Sequence, residues 1–352
     1  MIRLSSIGDI VLTTPLLRNL HRRFAGATID MLAKEQYLPL LTCIGSLNNA
    51  FAYSAGSGEW RELRRSLADQ DYDTVIDLQN NLVSRSITAF LRPTRIYRFR
   101  RPRINRWIRI NIPSLRRRIG TPPPVALGYL AVVRGLGIVD DGRGLELNVD
   151  NKAAAKAREL LKSYHDKTGI EERSRPLIAA TGARHQTKIW PVDHWVDILN
   201  AAHADGFSSQ VIIGSSNERD LSEEIISRLD FPVLNTAGEL DLKELIALLE
   251  LGRAVISSDS GPMHIAAAVG TPVVAIYGST VPEFGFAPFR CRGEVVQIEE
   301  ELDCRPCHPH GRKSCPRKHF RCMNDIRPDM VSYALLKVTR PGIHRIASVE
   351  RT

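Results

Sequence analysis

The length, composition and charge of the chain exclude a disordered protein and a membrane-spanning one. It has 352 residues, of which 43% are hydrophobic and 25% charged, as in ordinary globular proteins. No apolar run approaches the roughly 18 residues that span a bilayer. Polar Ser5, Ser6 and Asp9 stand where a signal peptide would need an apolar core. We therefore expect a cytoplasmic protein whose cysteines are reduced thiols or metal ligands.

The positive charge is concentrated in one segment. The net charge is +9, yet residues 92–118 contain eleven arginines and no acidic residue, so the rest of the chain is close to neutral. A local basic patch indicates a localised acidic partner. We expect no nucleic acid in that role, because aromatic residues are few and no recognition module is evident.

In the first half, short apolar strands alternate with helical patterns. The sequence predicts strands over residues 2–4, 27–32 and 74–78, and a helix over residues 10–20. Such alternation is typical of a parallel sheet with helices on both faces, whose ligands lie at the carboxyl ends of the strands. Residues 1–160 are therefore predicted to form an N-terminal Rossmann-like domain.

A second alternating series follows a charged helix and a polar run. The predicted strands are 177–180, 210–213, 254–257 and 273–277, and the predicted helices are 152–164, 192–204, 220–229, 242–249 and 264–269. The length of the chain also favours two domains with a cleft between them. Residues 170–330 are predicted to form a C-terminal Rossmann-like domain, and residues 331–352 a helical tail.

The first motif, Ser5-Ser6-Ile7-Gly8-Asp9, lies between a strand and a helix. Gly8 allows a tight turn at the strand end, and Asp9 is then presented near the helix start, where it can face the cleft. The alternative is that Asp9 only caps the helix, in which case asparagine would preserve both stability and rate. The spacing is not G-x-G-x-x-G, so a dinucleotide fingerprint is not supported.

The second motif is the loop at residues 181–191, which contains Thr187 and Lys188. A loop with small residues, free backbone N–H groups and a lysine suits a diphosphate whose charge must be neutralised as a sugar departs. It is not a Walker A loop. The alternative is an ordinary loop with a solvated lysine.

The third and most specific motif runs from Ser257 to Ala268. A strand ends at Ser258, Asp259, Ser260 and Gly261 form a turn, and a helix then begins with its N–H groups exposed to the crevice. For Asp259 the alternative is helix capping. For His264 it is a buried structural histidine.

Two further segments carry their own interpretations. The stretch RINRWIRI places Arg103, Arg106 and Arg109 at helical spacing among apolar residues, which suits an anionic membrane surface or an acidic glycolipid, unless it is simply a solvated loop. Four thiols near the end could form a structural zinc site, although their later spacings match no familiar zinc ribbon. These thiols are Cys304, Cys307, Cys315 and Cys322.

The three motifs together resemble the ADP-heptose:lipopolysaccharide heptosyltransferases of glycosyltransferase family 9. The resemblance rests on LSSIGDIVLTTPLLRNL, VIDLQNNLVSR, KIWP and SDSGPMHIAAAVGTPVVAIYG, in this order, and covers roughly residues 1–330. It implies an α/β protein of the GT-B fold, with two Rossmann-like doubly wound domains facing a cleft. The N-terminal domain would bind the acceptor and the C-terminal domain the nucleotide sugar.

The resemblance also implies roles for particular residues. Asp9 is the expected catalytic base. The expected donor-binding residues are Thr187, Lys188, Glu218, Asp259, Ser260, Gly261 and His264, with Ser260 standing where threonine is usual. The enzyme would invert the anomeric carbon without a cofactor or catalytic metal.

The implied partners are an ADP-heptose donor and an acidic lipopolysaccharide-core acceptor bound by Arg103, Arg106 and Arg109. Peripheral contact with the inner-membrane surface is also expected. The alternatives are another GT-B enzyme, such as an epimerase, and a noncatalytic glycolipid-binding protein.

Overall fold

The computed structural model describes the placement of residues 1–54 and 57–340. No helix in these residues is long and apolar enough to cross a membrane. The elements of the first half are α1 (Ile7–Val11), α2 (Thr14–Arg23), β1 (Asp30–Lys34), α3 (Leu38–Leu41), β2 (Asn49–Tyr53), α4 (Ser57–Ala68), β3 (Thr74–Asp77), α5 (Leu82–Leu91), β4 (Arg95–Arg98), α6 (Arg103–Asn111) and α7 (Val125–Val132).

The first sheet is held together by the first residues of the chain. Strands β1 and β2 pair in parallel, as do β3 and β4. Ile2 bridges Leu32 on one side and Asp77 on the other, so these residues run between β1 and β3. The predicted strand 2–4 is thus present as bridges in the centre of the sheet, and Asp9 follows at its carboxyl end.

The second half is one parallel sheet with helices on both faces. Its elements are α8 (Asn151–Thr168), β5 (Leu177–Ala180), α9 (Val192–Ala204), β6 (Gln210–Ile213), α10 (Arg219–Ile226), β7 (Leu234–Asn235), α11 (Leu242–Leu251), β8 (Ala254–Ser258), α12 (Gly261–Ala268), β9 (Val273–Tyr277), β10 (Gly293–Gln297), α13 (Arg321–Asn324) and α14 (Pro328–Thr339). Across the described residues, its strand order is β10-β9-β8-β5-β6-β7.

Helices α8 and α14 both pack on the second half. In α8, Lys156 Nζ contacts Glu244 Oε1 of α11 at 2.7 Å, and Tyr164 Oη donates to the Pro232 carbonyl at 2.8 Å. Helix α14 packs against α9 and the strands β8 to β10. It occupies part of the predicted tail, whose residues 341–352 lie outside the described residues. The predicted domain boundaries stay a prediction.

The two halves share a hydrophobic core, and the architecture is the predicted α/β GT-B fold. One continuous cluster of buried side chains includes Leu16 and Leu147 from the first half and Ile246 and Met263 from the second. Apolar burial is the main favourable contribution to folding. The contact between α1 and α12 therefore belongs to the core.

Candidate functional site

The carboxyl ends of β5 and β8 form a crevice in the second sheet. Strands β5 and β8 are neighbours in the sheet. From β5 the chain continues to β6 on one side, and from β8 it continues to β9 on the other side, so the direction in which successive strands are added reverses between β5 and β8. Ligands of open parallel sheets bind at such a reversal, because the loops leaving the two strands diverge. The loop with Thr187 and Lys188 follows β5, and the turn with Asp259 follows β8. Two of the three sequence motifs therefore meet at one crevice.

Lys188 and Asp259 form an ion pair in this crevice. Lys188 Nζ lies 2.7 Å from Asp259 Oδ2 and donates to the Asp259 carbonyl at the same distance. Thr280 Oγ1 donates to the same carboxylate at 2.8 Å. The lysine and aspartate side chains are 14% and 13% exposed, so a ligand can reach both. A phosphate would compete with this carboxylate for the ammonium group.

Thr187, which precedes Lys188, is buried, and its hydroxyl bonds to protein. Ser279 Oγ donates to Thr187 Oγ1 at 3.0 Å, and the backbone N–H of Arg312 donates to it at 2.8 Å. The hydroxyl therefore supports the loop, and direct donor binding by Thr187 stays a prediction.

The start of helix α12 brings free backbone donors to the crevice. Ser260 is the N-cap residue and Gly261 is the first helical residue. The hydroxyls of Ser260 and Ser257 share a hydrogen bond of 3.0 Å, and the Ser260 side chain makes no capping bond to the helix. Within the described chain, Ser258 Oγ and His264 Nδ1 are buried nearby without a hydrogen-bond partner. Buried polar atoms are rarely left unsatisfied, and a polar ligand would supply partners here.

His264 connects this crevice to the first half of the chain. A Cβ atom on Gly8 would lie 2.5 Å from His264 Cδ2, so a side chain at position 8 would displace the ring. A Cβ atom on Gly261 would lie 3.0 Å from Ile7 Cγ2. Burial lowers the pKa of His264 to about 4, so its ring is neutral at physiological pH. Helices α1 and α12 thus meet through two glycines.

Asp9 lies in a charged, mostly buried environment on the first half. Its Oδ1 atom is 2.5 Å from Arg3 Nη2 and accepts a hydrogen bond from Tyr129 Oη at 3.3 Å. The N–H and hydroxyl of Ser6 donate to Oδ2 at 3.3 and 3.1 Å. Burial opposes ionisation, but Arg3 and Arg101 outweigh it and lower the pKa of Asp9 to about 2. Asp9 is consequently a carboxylate at neutral pH, and it also caps α1 with Ser6.

Glu218 lies at the outer edge of the crevice. Its Oε2 atom accepts hydrogen bonds from the N–H and hydroxyl of Ser215, at 2.7 and 2.9 Å. The Glu218 carboxyl group packs directly against Gly182, and a Cβ atom on Gly214 would lie 3.2 Å from Glu218 Oε2. The two glycines, at the ends of β5 and β6, therefore make room for the acid. Its predicted ribose contact stays a prediction.

A basic cavity of about 470 Å³ opens beside Asp9, at the carboxyl ends of β3 and β4. Four arginines line it, namely Arg85, Arg100, Arg101 and Arg103. Arg101 Nη2 lies 3.9 Å from Asp9 Oδ1, so the cavity adjoins the carboxylate. An acidic molecule bound there would place its neighbouring groups near Asp9.

The arginine-rich helix α6 buries two of its three predicted acceptor-binding arginines. Arg106 and Arg109 are only 7% exposed, whereas Ile104 and Trp107 are 77% and 58% exposed. Arg106 Nη2 donates to the Phe284 carbonyl at 3.0 Å, and Arg109 Nη2 to the carbonyls of residues 119 and 120 at 3.2 Å. Backbone carbonyls thus hold these two side chains inside, and acceptor binding by the three arginines stays a prediction. Arg103 is exposed at the cavity.

The same segment joins the two halves of the molecule. Besides the bond from Arg106 to residue 284, Arg116 donates to the carbonyls of Leu302 and Asp303, at 3.2 and 2.7 Å. Arg117 Nη2 lies 2.5 Å from Glu301 Oε2 and forms an ion pair with it. Part of the positive charge that sequence analysis assigned to a partner therefore binds the second half of this chain.

The four cysteines of residues 304–322 have no preformed metal-binding arrangement in the described part of the chain. Among the described residues, no group of three or more His, Cys, Asp or Glu side chains is arranged to hold a metal ion. All four thiols are free, and Cys304 Sγ is 3.6 Å from His319 Nε2. Structural zinc stays an untested alternative.

Several residues of the site were missed by sequence reasoning. Arg3 lies six residues before Asp9 in the predicted first strand. Nothing in the sequence of a strand indicates that an arginine there contacts an acidic residue. Thr280 contacts Asp259 from 21 positions away, and Tyr129 contacts Asp9 from 120 positions away. Contacts of this kind depend on tertiary packing. Only the arginine richness of residues 92–118 pointed toward Arg101.

Comparison with known proteins gives consistent matches. Residues 60–317 match the family described as glycosyltransferase family 9 (heptosyltransferase). Lipooligosaccharide heptosyltransferase 2 of Haemophilus influenzae is 29% identical over 85% of this chain and 88% of its own length. Two solved structures share the fold, each over 96% of this chain. One is a family 9 glycosyl transferase from Veillonella parvula (TM-score 0.79, 18% identity, 96% of that chain), and the other is ADP-heptose lps heptosyltransferase II of Escherichia coli (TM-score 0.71, 24% identity, 97% of that chain).

Proposed function

Because this chain belongs to glycosyltransferase family 9, the heptosyltransferase family, we propose that it transfers heptose from an ADP-heptose donor to the inner core of lipopolysaccharide, with inversion. One observation carries the proposal. The ionised carboxylate of Asp9 lies on the first half of the molecule, and Lys188, whose ammonium group can bind a phosphate, lies on the second half. The two halves are in contact at Gly8 and His264. Glycosyl transfer needs a proton acceptor and a positive group for the leaving diphosphate in this arrangement.

The donor lies in the crevice of the second sheet. Lys188 and the N–H groups of α12 bind the diphosphate, while Asp259, Ser260 and His264 bind the sugar and the adjoining phosphate. Glu218 binds the ribose at the outer edge. As the bond between the anomeric carbon and the diphosphate oxygen breaks, the ammonium and the helix start stabilise the departing charge.

Asp9 removes the proton from the acceptor hydroxyl that attacks the anomeric carbon. Oδ1 is held by Arg3, whereas Oδ2 has only the longer bonds from Ser6. Oδ2 is therefore the better placed atom to accept the proton. Direct attack by the hydroxyl, without a covalent enzyme intermediate, inverts the anomeric carbon.

The acceptor lies in the basic cavity beside Asp9. Arg85, Arg100, Arg101 and Arg103 match an acceptor that carries carboxylates and phosphates. Exposed Ile104 and Trp107 on α6 contact the inner face of the inner membrane, which brings the cytoplasmic enzyme to its lipid-linked substrate.

A transfer assay tests the proposal. The purified protein is incubated with ADP-heptose and a lipopolysaccharide core that lacks heptose, and the mass of the product is measured by mass spectrometry. A gain of one heptose with release of ADP is expected. The proposal would be overturned if well-folded protein consumed neither substrate. It would also be overturned if the protein released a free epimerised sugar.

A further inference from the structure

The segment that contains the four clustered cysteines, residues 304–323, borders the donor crevice. The backbone N–H of Thr187 donates to the Arg312 carbonyl at 3.1 Å, and the N–H of Arg312 donates to Thr187 Oγ1 at 2.8 Å. The N–H of Cys307 donates to the Ser279 carbonyl at 3.3 Å. These bonds attach the segment, which we call the cysteine segment, to the loop that follows β5 and to the turn that follows β9.

An arginine near the start of the cysteine segment binds the turn after β9 from one side. Arg305 Nε donates to the Gly278 carbonyl at 2.6 Å. Arg305 Nη2 donates to the carbonyls of Tyr277 and Thr280, at 3.0 and 3.1 Å, and to Gln297 Oε1 of β10 at 2.8 Å. A planar guanidinium binds several acceptors in a fixed geometry, and its hydrogen bonds are charge-assisted. Arg305 therefore fixes the backbone of this turn.

The end of the cysteine segment packs against the same turn from another side. A Cβ atom on Gly278 would overlap the Met323 sulfur and would lie 3.1 Å from the Cys322 carbonyl oxygen. Met323 is fully buried in the core of the second half, so an added side chain at position 278 would displace packed atoms. The turn, residues 278–280, is consequently held between the two ends of the cysteine segment.

Two side chains of this turn bind residues of the donor crevice. Thr280 Oγ1 donates at 2.8 Å to Asp259 Oδ2, the same oxygen that pairs with Lys188. Ser279 Oγ donates to Thr187 Oγ1 at 3.0 Å. The serine and the threonine at positions 279 and 280 are each 1% exposed, so water does not compete for these bonds. A shift of the turn would therefore move Asp259 and, through the ion pair, the ammonium group of Lys188.

We propose that the cysteine segment is a clamp that positions the donor-binding groups, and that Arg305 is the positioning residue through which the clamp acts. Arg305 holds the turn, and the turn orients Asp259 and Lys188. Misplacing a binding group by about 1 Å can cost about 100-fold in rate, so a residue outside the chemistry can control it. This inference rests on the proposed function, because it requires a nucleoside diphosphate in the crevice.

Binding of ADP to the full-length protein tests the inference through Arg305→Lys. Lysine keeps the positive charge, but its ammonium group cannot reproduce the fixed fork of donors that binds the turn. The Kd for ADP, measured by calorimetry, should rise about 10-fold, and the donor KM should rise with it. The acceptor KM should stay unchanged, because the basic cavity lies on the first half. A purely structural role predicts a lower melting temperature with a normal Kd for the folded protein.

Arg175 offers a matched control in the same half of the molecule. It also donates to three backbone carbonyls, those of Glu250, Leu251 and Gly252, at 3.1, 3.2 and 2.7 Å. These groups precede β5 and β8 and therefore lie at the amino ends of the strands, opposite the crevice. Arg175→Lys should bind ADP with the normal Kd.

A double-mutant cycle with Thr280→Val tests whether Arg305 acts through the turn. Valine removes the hydroxyl that binds Asp259 but keeps the carbonyl that accepts from Arg305. Thr280→Val alone should raise the Kd for ADP. Arg305→Lys should then add less to the Kd in this background than in the unaltered protein, because both substitutions act on Asp259 by the same route. Full additivity of the two free energies would overturn the role of Arg305.

The remaining outcomes distinguish the clamp from the donor site itself. A normal Kd for ADP in folded Arg305→Lys, or an equal rise in Arg175→Lys, would overturn the role of Arg305 while leaving the donor site intact. If Arg305→Lys does not fold, Ser279→Ala and Thr280→Val test the clamp, and a normal Kd in both would overturn it. Absence of ADP binding to the unaltered protein would overturn both this inference and the proposed donor.

Discussion

The substitution Asp9→Asn tests the proposed base, and the structure changes what it should do to stability. The variant preserves the size of the side chain but cannot accept the hydroxyl proton. It also removes the negative charge that faces Arg3, whose guanidinium is fully buried and 2.5 Å from Asp9. A simple capping role predicts little change in stability, because asparagine is a good N-cap. The buried ion pair predicts a substantial loss.

The size of that loss follows from two independent estimates. Removing one partner of a buried ion pair typically costs about 3–5 kcal/mol. The pKa of Asp9, lowered from 3.8 to about 2, corresponds to about 2.5 kcal/mol at neutral pH. Because the folded pKa is below the unfolded one, this stabilisation is present above about pH 4 and is lost as the pH falls through 2. Asp9→Asn should remove that part of the pH dependence.

The catalytic effect is separated from the stability effect by a matched control. Asp141 forms a similarly buried pair with Arg18, at 2.7 Å, outside the proposed site. Both Asp9→Asn and Asp141→Asn should unfold at lower denaturant concentration. Only Asp9→Asn should lower kcat, by about 10²- to 10⁴-fold, when both are assayed well below their melting temperatures.

Two results would refute this reasoning. Near-normal turnover by folded Asp9→Asn would exclude Asp9 as the base. An equal loss of turnover in Asp141→Asn would assign the effect to general destabilisation instead of proton transfer.

Three further predictions concern the donor lysine, the arginine-rich segment and the cysteines. Lys188→Ala should lower kcat by about 10²-fold and raise the donor KM in steady-state assays, and unchanged donor kinetics would contradict the phosphate role. Arg103→Gln should raise the acceptor KM and weaken its salt dependence with little effect on melting temperature, whereas Arg106→Gln should lower the melting temperature, since its buried guanidinium binds the Phe284 carbonyl. If Arg103→Gln alters only the donor KM, the acceptor assignment fails. Elemental analysis should find about one zinc per chain or none, and kcat should survive chelators in either case, whereas its reversible loss would indicate a catalytic ion.

The four central strands of the second half, β5, β6, β8 and β9, were predictable because they are buried on both faces and end at clear turns. The strands 177–180, 210–213 and 273–277 and the helix 192–204 occur with the predicted bounds. Short apolar runs bounded by turn residues carry this information locally. The helix predicted at 264–269 instead begins at Gly261, because Ser260 acts as its N-cap and Pro262 suits the first turn.

The arginine-rich segment shows what the local pattern could not provide. The spacing of Arg103, Arg106 and Arg109 predicted the helix, but it did not show that Arg106 and Arg109 are buried while Ile104 and Trp107 are exposed. Which face turns inward depends on the carbonyls near residues 120 and 284, and those positions are set by the rest of the fold. The same limit explains why Arg3 and Tyr129 were not connected with Asp9.

The shared core also has a consequence for synthesis on the ribosome. Leu16 and Leu147 belong to the same buried cluster as Met263 and Phe289, which are translated much later. At about 5–20 residues per second, the first half must wait on the order of ten seconds or more for these partners. During that interval part of its apolar surface has no partner from its own chain. A nascent chain truncated before α12 should therefore bind holdase chaperones more strongly than one that extends beyond β10.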